Sequence, residues 1–346
     1  MSGGLRPHAA ALAGVVAVAR DGQDELTAGD ARARGGAADV GRGSAVPAES
    51  RARRQGFGRG AAQRARRVFR KKYLKLHIGG LVFALLIVMS LFAPLLAPFD
   101  PGAQNLEVKL LPPFFLDGGQ AAHLLGTDNL GRDLLSRIIY GSRVSLLVGI
   151  VSVLFAAAIG IVLGAISGYF GRYIDEFIMK IVEVFLAFPF LLLAIVIMAF
   201  LGEGLVNIIV ALILSRWVQF CRLVRGEVLS LKTRDHVIAA RALGGTDMYI
   251  IFRHIIPYTM PTLIVLGTFE IALVIIQESS LSFLGLGVPP SVPTWGTMLA
   301  EGRSYMHAAP WLSVFPGLAI LITVLGLNLL GDGLRDVLDP HMRGRS

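Results

Sequence analysis

Apolar stretches long enough to cross a bilayer recur along this chain, separated by short polar or glycine-rich joints. A span of about 20 residues covers roughly 30 Å of hydrocarbon. In lipid every backbone polar group must be satisfied within the segment, so the repeated runs restrict the chain to membrane helices. Charged residues are only 16% of the sequence, against about 25% in an ordinary soluble domain. The chain reads as an all-α integral membrane protein with six transmembrane helices. Their expected positions are residues 78–98, 144–167, 177–200, 205–221, 260–284 and 312–330.

The formal net charge of +9 is unevenly placed. Arg and Lys crowd the stretch from Arg51 to Lys75, which has neither Asp nor Glu. Beside a first span, such a block marks a cytoplasmic flank. Six spans then place both termini in the cytoplasm. A nucleic-acid partner is not expected, because only Phe57, Phe69 and Tyr73 interleave the basic block as stacking platforms. Residues 1–50 are rich in Gly, Ala, Arg and Ser without a sustained period and read as a disordered tail. A translation start placed too far upstream would give the same stretch. Residues 51–77 form a basic cytoplasmic segment, and 335–346 a cytoplasmic tail.

Residues 99–141 carry five acids (Asp100, Glu107, Asp117, Asp128, Asp133) against three bases (Lys109, Arg132, Arg137), a balance suited to the outer face. Within them Leu130, Leu134, Leu135, Ile138 and Ile139 recur at helical spacing, opposite Arg132, Asp133, Ser136 and Arg137. The pattern predicts a short amphipathic helix lying at the interface. In the second span Ser152, Ala156, Gly160, Gly164 and Gly168 fall at every fourth position, a ridge along which another backbone can approach closely. Pro189 predicts a kink in the third span. Trp295, Tyr305 and Trp311 fall where aromatic residues sit at interface depth.

Residues 222–258 are a polar island between two spans. Ala239, Ala240 and Ala242 favour a helix with a small-residue face. Gly244 and Gly245 can end it in a left-handed conformation. Thr246 or Asp247 can cap the next helix. Met248, Ile251, Phe252 and Ile255 give that second helix an apolar face, and Pro257 closes the turn before the next span. Such an element belongs on a membrane face, where it offers a firm knob to another protein. Ile238 to Arg241, Gly244, Gly245, Asp247, Ile255 and Pro257 are the candidate contact and shaping residues. Arg216, Glu270 and Glu278 lie within or near the fourth and fifth spans. Charges at such depth usually face protein or water. They are candidates for lining a pathway or for a structural pair between subunits, and Glu278 is also placed to sit near the outer surface.

No Gly-Lys dipeptide occurs, so the chain has no P-loop for ATP phosphates. The seven histidines show no ligand spacing, and no metal site is expected. No Ser-His-Asp grouping suggests catalysis. The lone Cys221 cannot form an intrachain disulfide.

The alternation Ala239-Ala240, three residues, Gly244, with Ile255 and Pro257 downstream, resembles the cytoplasmic "EAA" loop of ABC importer permeases. Gly126-Thr127-Asp128-Asn129-Leu130-Gly131-Arg132-Asp133, followed by Gly141-Ser142-Arg143-Val144-Ser145-Leu146, resembles the opening signature of C-type permeases of the dipeptide/oligopeptide/nickel class. So does Gln277-Glu278-Ser279-Ser280-Leu281-Ser282-Phe283-Leu284-Gly285-Leu286-Gly287, with Pro289-Pro290 and Trp295-Gly296. The likeness runs over about residues 70–343. It implies a permease core over 142–334 of the type I importer fold, in a bacterial inner membrane. It also implies a second related permease, two P-loop ATPases that hold ATP and Mg, an extracytoplasmic binding protein, and no cofactor on this chain. Dipeptides, longer peptides, glutathione and nickel chelates are all substrates within the class. One departure stands out: the acidic position of the loop motif is Ile238 here. The competing reading, a secondary transporter or channel driven by an ion gradient, would call for inverted repeats, and none is evident.

Overall fold

The computed structural model describes residues 73–289 and 291–338. The expected tail over 1–50, most of the basic segment 51–77 and most of the closing tail lie outside these residues. Among the described residues all regular structure is helical apart from one isolated bridge between Thr127 and Asp133. In chain order the helices are α1 (Tyr73–Leu91), the one-turn α2 (Ala93–Leu96), α3 (Leu134–Phe170), α4 (Arg172–Ala187), α5 (Phe190–Leu201) and α6 (Leu205–Leu231). Then come α7 (Asp235–Ala242), α8 (Asp247–Ile250), a π-helical turn (Ile251–Ile255), α9 (Ile256–Phe283), α10 (Trp295–Arg303) and α11 (Trp311–Leu338). Five helical stretches are long and apolar enough to cross a membrane: α1, α3, α6, the run Asp247–Phe283, and α11. The pair α4 and α5 makes a sixth span if taken together.

Two expectations need correction. The third span does not merely kink. Its two helices meet at 91°. Phe188 is extended (φ −95°, ψ 127°), as a residue before proline prefers, and Pro189 precedes the restart. The amphipathic segment around residues 130–139 is not a separate interfacial helix. It enters directly into α3, a single helix of 37 residues. The side chains expected to face water are buried: Arg132, Asp133, Ser136 and Arg137 are all under 8% exposed. They can be buried because Arg132 and Arg137 pair with Asp128 and Glu301 while Asp133 accepts from Ser136.

The small-residue ridge of α3 seats against α6. A Cβ on Gly160 would lie 2.6 Å from the Trp217 carbonyl oxygen, and one on Gly164 would lie 2.4 Å from that of Cys221. Lipid tails offer no hydrophobic incentive for two apolar helices to pair, so close backbone approach of this kind supplies the dispersion contact that holds them. The same device joins the first and last spans. A Cβ on Gly79 would meet the Leu330 nitrogen at 2.3 Å, and one on Gly326 would meet Val82. Helix α9 lies against both α3 and α11 and so ties the two pairs together. The α6 helix continues ten residues beyond the expected end at Cys221, to Leu231, and leads straight into the polar island.

Candidate coupling site

The polar island folds as two short helices broken at the glycine pair. In α7 the first turn carries Asp235 and the last Arg241, each at the end where the helix dipole favours its charge. Gly244 has φ +84°, a conformation that glycine adopts without penalty. Gly245 is required for a different reason: a Cβ there would sit 2.8 Å from the Ala240 carbonyl oxygen. The residue that caps α8 is Thr246, whose side chain accepts from the Tyr249 N–H; Asp247 is the first helical residue. Pro257 does not stop the segment. It sits just after the π turn, whose widened backbone accommodates a proline inside a continuous helical run. The chain passes from α8 through the π turn into the span without leaving helical geometry.

One face of this element is buried. Val237, Ile250, Ile251 and Ile255 join the core of the helix bundle, and Ala240 packs against it. The other face is apolar and exposed: Ile238 at 54%, Leu243 at 89%, Met248 at 53% and Phe252 at 63%. The expected apolar set of Met248, Ile251, Phe252 and Ile255 therefore splits, with Ile251 and Ile255 inward and the other two outward. Ala239 is exposed beside Ile238.

Polar bonds fasten the element to the ends of the spans. Tyr169, in the last turn of α3, donates its hydroxyl hydrogen to Asp247 Oδ1 (2.7 Å) and accepts from Arg241 Nη2 (3.0 Å). The Arg241 guanidinium also lies 5.5 Å from the centre of the Tyr169 ring. The bond to the Tyr169 hydroxyl raises the Arg241 pKa above the ordinary guanidinium value. Lys232 donates to the Gly168 carbonyl (2.9 Å), and Arg225 grips Asp175 of α4 through two nitrogens (2.5 and 2.7 Å). Sequence reasoning missed Tyr169 and Asp175. They flank the joint at Gly171 between α3 and α4, and neither carries a pattern that names its partner.

The charges at depth resolve differently. Arg216 and Glu270 pair within the chain at 3.4 Å, joining α6 to α9, with side chains 14% and 5% exposed. The Arg216 guanidinium also stands over the Phe190 ring at 5.8 Å. Glu278 is fully buried, five residues from the end of α9; the hydroxyls of Ser282 (2.8 Å) and Ser279 (3.4 Å) donate to it. The opposite end of α3 from Tyr169 holds a cluster the sequence did not announce. Asp128 accepts from Arg132 Nε (2.6 Å) and from Arg137, and Glu301 of α10 accepts from Arg132 Nη2 (2.9 Å) and Arg137 Nη1 (2.7 Å). Two cations and two anions thus close on one another. Trp295 is wholly buried beside this cluster, its indole N–H on the Ile138 carbonyl (3.0 Å), so it is no interface anchor. Among the described residues, no three His, Cys, Asp or Glu side chains gather as a metal site.

The chain is similar in sequence to known proteins. The family described as "binding-protein-dependent transport system inner membrane component" matches residues 160–344, and the "N-terminal TM domain of oligopeptide transport permease C" matches residues 61–113. The di/tripeptide transport system permease protein DppC of Pseudomonas aeruginosa is 46% identical over 267 residues, covering 77% of this chain and 88% of that protein. The glutathione transport system permease protein GsiD of Pectobacterium atrosepticum is 44% identical over 281 residues, covering 80% and 91%. Among solved structures, a chain of the MetNI methionine ABC transporter in an inward-facing conformation superposes with a TM-score of 0.51 at 20% identity, over 60% of this chain and 98% of that one, a likeness of fold. A match over more than half the chain, together with relatives aligned over most of their own length, places the chain in the family of binding-protein-dependent transport inner membrane components, the permeases of ABC importers in the bacterial inner membrane.

Proposed function

We propose that this chain forms half of a translocation path for peptides, and that the segment from α7 to the π turn couples it to an ATPase. An ABC permease works with ATPase subunits and another permease. The particular assembly proposed here is a heterodimer with a related permease, two P-loop ATPases beneath it, and a binding protein that delivers substrate from outside. ATP and Mg are assigned to the ATPases, since this chain has no P-loop. The observation that carries the coupling role is the division of the loop into two faces. One face is buried in the helix bundle and bonded to Tyr169 of α3. The other presents Ile238, Leu243, Met248 and Phe252 outward from a region otherwise polar. Ile238 replaces an acid with an apolar side chain, so the complementary groove is apolar at that point.

The peptide class rests on relatives named for dipeptide, tripeptide and glutathione transport.

Affinity purification of the complex from its native membrane tests the assembly. Recovery of a P-loop ATPase and a second permease is expected; recovery of this chain alone would defeat the reading. Uptake of radiolabelled alanyl-alanine through this system tests the substrate class. Uptake of labelled glutathione, with no dipeptide uptake, would move the class to glutathione. Gly244→Pro cannot adopt φ +84° and should abolish uptake while membrane insertion continues. Normal uptake in that variant would refute the loop assignment.

A further inference from the structure

Tyr169 belongs to none of the signatures by which the chain resembles its family, yet its hydroxyl is the meeting point of both loop helices. Arg241 reaches it from the end of α7 and Asp247 from the start of α8. Between those two residues lie Gly244 and Gly245, the joint at which the helices could otherwise swing apart. The hydroxyl bonds span that joint and fasten both sides to one oxygen atom.

That atom stands at the end of a helix of 37 residues. At 1.5 Å per residue, the 37 residues of α3 extend about 55 Å. No proline interrupts it, and its small-residue ridge is seated on α6. The far end is equally fixed. Asp133 caps it by accepting from the Ser136 N–H (2.8 Å), and Arg137 is held by Asp128 and Glu301. A stiff rod thus connects the loop to the ionic cluster across the whole membrane.

We propose that Tyr169 is a positioning residue that converts displacement of the loop into displacement of α3, so that the far cluster moves when the ATPase moves. The inference rests on the coupling role assigned to the loop. Without the hydroxyl the loop remains joined to α6 and α9 through the chain, but α3 loses its direct polar tie to both loop helices. Phenylalanine at this position keeps the ring against Arg241 and removes only the two hydroxyl bonds.

The test uses the assembled complex in lipid nanodiscs and needs no transported substrate. Arg143→Cys, exposed near the cluster end of α3, serves as a maleimide reporter; the native Cys221 is fully buried and contributes no background. Trapping with ATP and vanadate is expected to change the labelling rate severalfold. Adding Tyr169→Phe should leave ATP hydrolysis within about twofold and reduce that change to less than half. A second reporter, Leu243→Cys, should cross-link to the ATPase in both backgrounds. Absence of that cross-link would refute the loop assignment, and this proposal with it. A cross-link together with an undiminished labelling response would overturn the role of Tyr169 alone. Parallel loss of hydrolysis, or failure of the variant to assemble, would make Tyr169 merely structural and overturn the proposal too.

Discussion

Single residues in this protein are constrained chiefly by proximity of backbone to backbone and by charge held away from water. Gly164 illustrates the first. Its missing side chain leaves room for the Cys221 carbonyl, so Gly164→Leu should force α3 off α6 and cost about 1–3 kcal/mol or more, read as a fall in thermal stability in detergent. Gly171, with nothing within 4 Å of a Cβ, has no such clash to fear, though its φ of +65° still disfavours other residues. Arg216 illustrates the second. Arg216→Met leaves Glu270 buried and unpaired, a loss of about 3–5 kcal/mol, whereas pairing it with Glu270→Met should recover most of that stability. A double-mutant cycle on denaturation in detergent decides the matter. Recovery of folding without recovery of uptake would assign the pair to the pathway. Recovery of both would leave it a strut between α6 and α9.

Among the elements, the one that departs most from its sequence pattern is the start of α3. The alternation of Leu and Ile with Arg, Asp and Ser is that of a helix with one wet face, but this wet face is turned toward Asp128 and Glu301. Periodicity registers which side of a helix is polar; it does not say whether water or another charged side chain meets it. Glu301→Gln should therefore weaken the attachment of α10 to α3 by about 1.5–3 kcal/mol, the scale of a bond between charged groups, and raise the proteolytic sensitivity of the segment between α9 and α11. The α4–α5 pair shows the converse. Pro189 announced only a kink; the 91° angle depends on Phe188 being extended and on the separate packing of Ala194 and Met198 in the core. In the coupling segment the glycine turn, the alanine-rich helix and the cap were all legible, because each is a local backbone requirement. Its anchors were not, because Tyr169 lies 78 positions from Asp247.

At the scale of the molecule, the first and last spans close against each other through Gly79, Gly326 and Gly333, while the α3–α6 ridge forms a second tight seam. The polar island lies at one end of the latter seam and the ionic cluster at the far end of α3, so the two ends of the protein share one long helix. Features that depend on neighbours within a few positions were legible in the chain alone: that it is helical and membrane-spanning, where glycine must turn the backbone, and that a polar segment stands between spans. Lipid permits few other solutions, so composition and run length suffice for that much. Only the tertiary structure decided which charges are buried, because Arg137 and Glu301 are 164 positions apart and become partners only when α3 and α10 meet. It also decided which apolar residues of the coupling segment face outward, since Ile251 and Phe252 are equally apolar in sequence and are separated only by what packs against them.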